Sequence, residues 1–189
     1  MFRLKTYDLH KVPRHGGVML ASNHQSFLDP ILVAVHLRRP TAFLARDGLF
    51  KNPFFGRLIT DLNAFPVNQE RGDLGAMRQA ISVLQAGWTL NVFPEGSRTE
   101  DGRMQPIKPG AALVIKKACV PVVPIAIRGS YEAWPRHRKL PRPGNIFVLY
   151  GDPVRLDHLP GRQITEVLEQ RLHAVQADLS RRILEEGHA

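Results

Sequence analysis

Two periods of apolar spacing alternate along this chain. Short apolar runs bounded by glycine, proline or polar clusters read as strands: Val18 to Ala21, Thr41 to Ala45, Ala64 to Val67, Thr89 to Phe93, Val120 to Ile127 and Ile146 to Tyr150. Between them the spacing lengthens to that of helices. Asp29-Pro30 starts one, with Asp29 at the cap and Ile31 to Leu37 continuing it. Asn52-Pro53 opens a second, with Phe54, Phe55, Leu58 and Ile59 on one side. Asp73 caps a third, striped by Leu74, Met77, Ile81 and Leu84 and ended by Gly87. Gly110 to Lys117 forms a short fourth helix. A long amphipathic one over about 164–184 carries Ile164, Leu168, Leu172, Val175, Leu179 and Ile183. Pro121 and Pro124 fit their apolar run only at an end or an irregular position. The alternation predicts a single α/β domain over residues 1–189, with a mixed, mostly parallel sheet flanked by helices. Sites in such sheets gather at the carboxyl ends of strands, here the loops after Ala21, Val67 and Phe93.

Composition narrows the partners. A chain of 189 residues with 43% apolar and 23% charged residues suits one globular core and excludes disorder. The lone cysteine, Cys119, excludes a disulfide-stapled scaffold; between a helix and an apolar strand it reads as a packed thiol. Lys plus Arg total 26 against 17 Asp plus Glu, a formal charge of +9, which calls for an anionic partner. Aromatics are only 7% and no nucleic-acid signature is present, so nucleic acid is set aside. No stretch reaches the roughly 18 apolar residues of a membrane span, and the first ten residues are not a signal peptide. Any membrane contact is therefore expected at the surface.

Three loops offer chemistry. In Ser22 to Asp29, four residues separate His24 from Asp29. Such a turn can fold back so that the carboxylate meets one imidazole nitrogen and leaves the other as a general base. The same spacing also fits a plain helix cap beside an unrelated histidine. His173 and Asp178 repeat it inside the last helix, where five residues turn the pair apart. In Phe93 to Thr99, Gly96 permits close backbone approach, Ser97 and exposed amides suit phosphate oxygens, and Arg98 can grip an anion bidentately. Glu95 could take a substrate hydroxyl or hold an arginine; the loop also reads as a polar turn. In Ala64 to Gly72, Arg71 offers a further cation or a merely solvated charge. There is no phosphate-loop lysine signature, no dinucleotide glycine triplet, no metal-ligand spacing and no hydrolase nucleophile elbow.

In order along the chain, these segments resemble the glycerolipid acyltransferases, the 1-acylglycerol-3-phosphate (lysophosphatidate) acyltransferases. Asn23-His24-Gln25-Ser26-Phe27-Leu28-Asp29 matches the family's His-x4-Asp block, Phe93 to Arg98 its Phe-Pro-Glu-Gly-Ser/Thr-Arg block, and Val120 to Pro124 its Val-Pro-Val-Val-Pro block. Arg46 to Gly56 resembles a further stretch of bacterial members, and the likeness covers roughly 13–153. The resemblance implies a glycerol-3-phosphate acyltransferase-like fold and acyl transfer from a carrier-protein or coenzyme A thioester to lysophosphatidate. It implies no cofactor and no metal.

The same likeness suggests roles. His24 would be the base and Asp29 its orienting partner; Glu95, Gly96, Ser97, Arg98 and Arg71 would hold the acceptor, with Asn23, Ser26, Phe65 and Gln69 lining its pocket. Gln69 stands where the family usually has the arginine of Phe-Pro-Val-Asp-Arg, with Arg71 two positions on, which leaves another lysolipid acceptor open. Many members carry membrane helices before the first block; the twenty or so residues here are too few. Peripheral attachment to an anionic membrane on its cytoplasmic face is expected instead. Two surfaces are candidates: the Phe50, Phe54, Phe55, Leu58, Ile59 face with Lys51 and Arg57, and the basic stretch Trp134 to Arg142.

Overall fold

The computed structural model describes residues 2–61, 63–67 and 74–187. Seven strands form one sheet: β1 (Arg3–Tyr7), β2 (Val18–Ser22), β3 (Thr41–Arg46), β4 (Ala64–Val67), β5 (Thr89–Val92), β6 (Val122–Arg128) and β7 (Asn145–Tyr150). Among the described residues six α-helices accompany them: α1 (Asp29–Ala34), α2 (Pro53–Asp61), α3 (Leu74–Gln85), α4 (Pro109–Ala118), α5 (Ser130–Ala133) and α6 (Gly161–Glu185). The strand order is β1-β7-β6-β2-β5-β3-β4. Neighbours are parallel except β6 and β7, so the α/β, mostly parallel sheet expected from the pattern is observed.

Burial follows the pleat. On β2, Met19 and Ala21 face a core shared with α3, α4 and the first half of α6, while Val18 and Leu20 face a second core under α1. The stripe of α6 buries Ile164, Leu168, Leu172, Leu179 and Ile183. Both faces of the central strands are thus covered, which is why they read as continuous apolar runs and not as alternation.

Pro124 lies inside β6, not at its end. Its carbonyl accepts from the Gly151 amide at 2.8 Å, so its backbone faces β7, and the β6–β7 ladder runs only from the Ile125–Tyr150 pair onward. The missing N–H therefore falls where β7 leaves the sheet. β1 was not expected. Its Arg3 and Lys5 hide the strand pattern, as charges on an edge strand do. Its identity comes from pairing with β7 and from ties to α6: Lys5 and Tyr7 reach Glu186 at 2.5 Å, and Arg182 reaches Asp8 at 3.0 Å. Asp73, the expected cap of α3, lies outside the described residues. Cys119 is exposed, not packed; it ends α4 in the left-handed region at φ 53°.

Gly17 leads into β2. A Cβ there would fall within contact distance of the Leu84 carbonyl and 3.0 Å from Val120 Cγ1. Gly17→Ala should therefore destabilise the fold by about 1–3 kcal/mol, the usual cost of overpacking, seen as a lowered melting temperature.

Candidate active site

β2 and β5 are direct neighbours, with Ala21 beside Val92, so the loops at their carboxyl ends emerge together. Residue 24 leaves one strand as residues 93–98 leave the other. The rings of His24 and Phe93 stack at 3.8 Å, 14° from parallel.

The turn after β2 closes on Asp29. One oxygen, Oδ2, accepts from the Gln25 amide at 2.6 Å and the Ser26 amide at 2.7 Å, and lies 2.9 Å from His24 Nδ1. Asp29 is fully buried. Its carboxylate does not cap α1: the N-cap is Leu28, and the carboxylate reaches back to the turn before the helix. An ionised carboxylate only accepts, so the hydrogen shared with His24 sits on Nδ1. Nε2 then keeps its lone pair on a ring whose side chain is 17% exposed, the arrangement a general base requires.

Glu95 locks the two loops together. Its Oε1 accepts from the His24 amide and its Oε2 from the Gln105 amide, both at 2.6 Å. The Thr99 amide in turn donates to the His24 carbonyl at 2.9 Å. Glu95 is 3% exposed. Burial pushes its carboxyl up to about 7, with the two amides pulling it back. Each oxygen takes one backbone amide, so Glu95 ties the His24 turn to the segment at Gln105.

The cations follow the same turn. Gly96 has φ 77°, and a Cβ there would meet Lys108 Cδ at 2.8 Å and Nζ at 2.9 Å. The Lys108 side chain therefore packs across the open face of Gly96 at the start of α4. Arg98 lays its guanidinium 3.4 Å from the centre of the Phe27 ring, within the range of a cation–π contact. Ser97 is half-buried between them in sequence.

Three expected pocket residues have other duties. The Asn23 carboxamide is 1% exposed and exchanges two hydrogen bonds with Ile127 of β6, at 3.0 and 2.8 Å. Ser26 Oγ donates to the Trp134 carbonyl at 2.8 Å and accepts from the Leu28 amide at 3.2 Å. Phe65 is 7% exposed in the core and borders a cleft with Ala86 and Trp88. That cleft lies at the amino end of β5, the opposite end of the sheet from His24. Gln69 and Arg71 lie outside the described residues. Pattern reading missed Lys108 and the Phe27–Arg98 stack. A lysine directly before a Pro-Gly helix start was the available signal for the first. Among the described residues, no group of His, Cys, Asp or Glu is placed to hold a metal ion.

A family model described as Acyltransferase matches residues 3–128. The chain belongs to that family. It is 27% identical over 184 residues to the 1-acyl-sn-glycerol-3-phosphate acyltransferase of Bacillus subtilis, covering 93% of this chain and 89% of the relative. It is 31% identical over 136 residues to a chloroplastic enzyme of that name from Brassica napus, covering 70% of this chain but 39% of the relative. The crystal structure of the 1-acyl-sn-glycerophosphate acyltransferase PlsC from Thermotoga maritima superposes with a TM-score of 0.81 at 28% identity, over 95% of this chain and 72% of that one.

Replacing Glu95 tests its locking role. Glu95→Gln keeps one acceptor and should cost about 1–3 kcal/mol of stability. Glu95 titrates near 7 when folded and near its ordinary 4.5 when unfolded, so the folded protein binds more protons between these values. Its contribution to stability therefore falls as pH rises from about 4.5 to 7. Urea midpoints across that range should show this downward component in the native protein and its absence in the variant.

Proposed function

We propose that this acyltransferase moves a fatty acyl group from a thioester to the free hydroxyl of 1-acylglycerol-3-phosphate, giving phosphatidic acid. The observation that carries the reading is the His24–Asp29 contact, set beside the Phe93–Arg98 turn. Names of relatives at this level of similarity support the acceptor.

The hydroxyl of the acceptor donates to His24 Nε2 and attacks the thioester carbonyl. His24 takes the proton as the C–O bond forms. The tetrahedral intermediate collapses, the C–S bond breaks, and the thiolate leaves with the proton from His24. Asp29 holds Nδ1–H throughout and stabilises the imidazolium, the part an aspartate plays in hydrolase triads. Arg98, Lys108 and the Gly96 backbone hold the phosphate, with Arg71 a further candidate. Fixing the hydroxyl against the carbonyl removes entropy otherwise lost at the barrier. With no serine or cysteine nucleophile in this role, transfer is direct within a ternary complex. The donor is an acyl-carrier-protein or coenzyme A thioester, and no cofactor takes part. Among the described residues no helix is long and apolar enough to cross a membrane. The enzyme works peripherally at the cytoplasmic face of an anionic membrane.

Purified protein supplied with either thioester should esterify lysophosphatidate; a panel of lysolipid acceptors that are all turned over except this one would contradict the assignment. His24→Ala should lower kcat by about 10²–10⁴ with its melting temperature kept, the usual worth of a general base. Wild-type turnover in that variant removes His24 from the chemistry. Arg98→Ala should raise the acceptor KM more than it lowers kcat; an unchanged KM makes Arg98 structural.

A further inference from the structure

An exposed apolar row runs from the turn before α1 along the outer side of that helix. Phe27, Ile31 and Val35, spaced four apart, are 42%, 55% and 54% exposed, while Leu32 and Val33 on the inner side are buried. The row begins at the site itself. Phe27 carries the Arg98 guanidinium on its ring and meets the Trp134 ring at 5.1 Å.

A cationic loop is fastened beside it. Ser26 Oγ holds the Trp134 carbonyl, Trp134 Nε1 donates to the Arg138 carbonyl at 3.0 Å, and the Arg142 amide closes the loop on Ala133 at 2.7 Å. The loop presents Arg136, Lys139 and Arg142, and its tip residue Leu140 is 75% exposed. Acidic neighbours are few: Glu132 is exposed, and Glu100 lies 3.7 Å from Arg136.

We infer that the α1 row and the 134–142 loop together form the surface that rests on an anionic lipid bilayer. This rests on the acyl-transfer reading and names how the site meets its lipid. An uncharged row at Phe27, Ile31 and Val35, rimmed by cations and a tryptophan, is built like an interfacial segment: apolar side chains enter the acyl boundary and cations pair with headgroups. An acidic carrier protein would also suit the cations, but it gains little from a bare apolar row. The row runs directly to Phe27 and Arg98, so an amphiphile can pass its headgroup to the site while its chain stays at the lipid boundary. The surface is distinct from the α2 face, whose Phe54 is 87% exposed.

Sedimentation with phosphatidylcholine vesicles, with and without phosphatidylglycerol, tests the inference. The native protein should pellet with the anionic vesicles. Ile31→Glu with Val35→Glu should weaken that binding at least about tenfold, equivalent to ~1.4 kcal/mol, with an unchanged melting temperature. Turnover of a short-chain lysophosphatidate below its micelle concentration should stay at the native level. If the double variant proves unstable, Arg136→Glu with Lys139→Glu on the exposed loop should weaken binding to anionic vesicles alone by a similar factor. Phe54→Glu should bind as the native protein does. Absence of native binding, native binding by both double variants, or loss of binding in Phe54→Glu would overturn the proposal. So would loss of holo-acyl-carrier-protein binding in the α1 variant with vesicle binding intact. Failure of the native protein to turn over the soluble acceptor would instead contradict the acyl-transfer reading.

Discussion

One oxygen of a fully buried carboxylate organises this site. Asp29 Oδ2 gathers the amides of Gln25 and Ser26 and the Nδ1 side of His24, all within 2.9 Å. The two amides set where the carboxylate stands, and the carboxylate sets where the imidazole stands. A buried acceptor left without these donors would be costly, so turn, helix start and ring orientation form together or not at all. The turn thereby orients the His24 ring although it sits in a loop.

The sheet decides what this ring can reach. Because β2 and β5 pair directly, the His24 turn and the Phe93–Arg98 turn share one edge of the fold, and Glu95 ties them by accepting from backbone on both sides. Phe93 supplies a flat wall for the imidazole. Lys108, brought over Gly96 by the start of α4, joins Arg98 in making the neighbourhood cationic. In the proposed reaction these two cations would anchor the phosphate of the acceptor while His24 takes the proton of its hydroxyl.

Much of the fold was legible because local signals agreed. The runs at Val18, Thr89 and Ile146 were bounded by turn residues, and the α6 stripe kept helical spacing from Ile164 to Ile183. β1 was not legible, since Arg3 and Lys5 mask its period and its partners lie some 140 residues away. The His24–Asp29 contact was readable as a spacing but not as a fact, because a helix cap predicts the same residues; only the direction of the carboxylate separates the two. Glu95 stood out in the motif, yet its role was hidden, because backbone amides at residues 24 and 105 carry no side-chain signature. Asn23 and Ser26 looked like pocket polars for the same reason: their partners, Ile127 and the Trp134 carbonyl, are brought in from more than a hundred residues away.

The central claim is that the buried carboxylate fixes the proton of His24 on Nδ1 and leaves Nε2 as the base. Long-range ¹H–¹⁵N correlation spectra of the neutral imidazole read this directly. The account predicts a pyrrole-like Nδ1 and a pyridine-like Nε2 for His24, with that preference lost in Asp29→Asn. A neutral ring protonated on Nε2 in the native protein would contradict it.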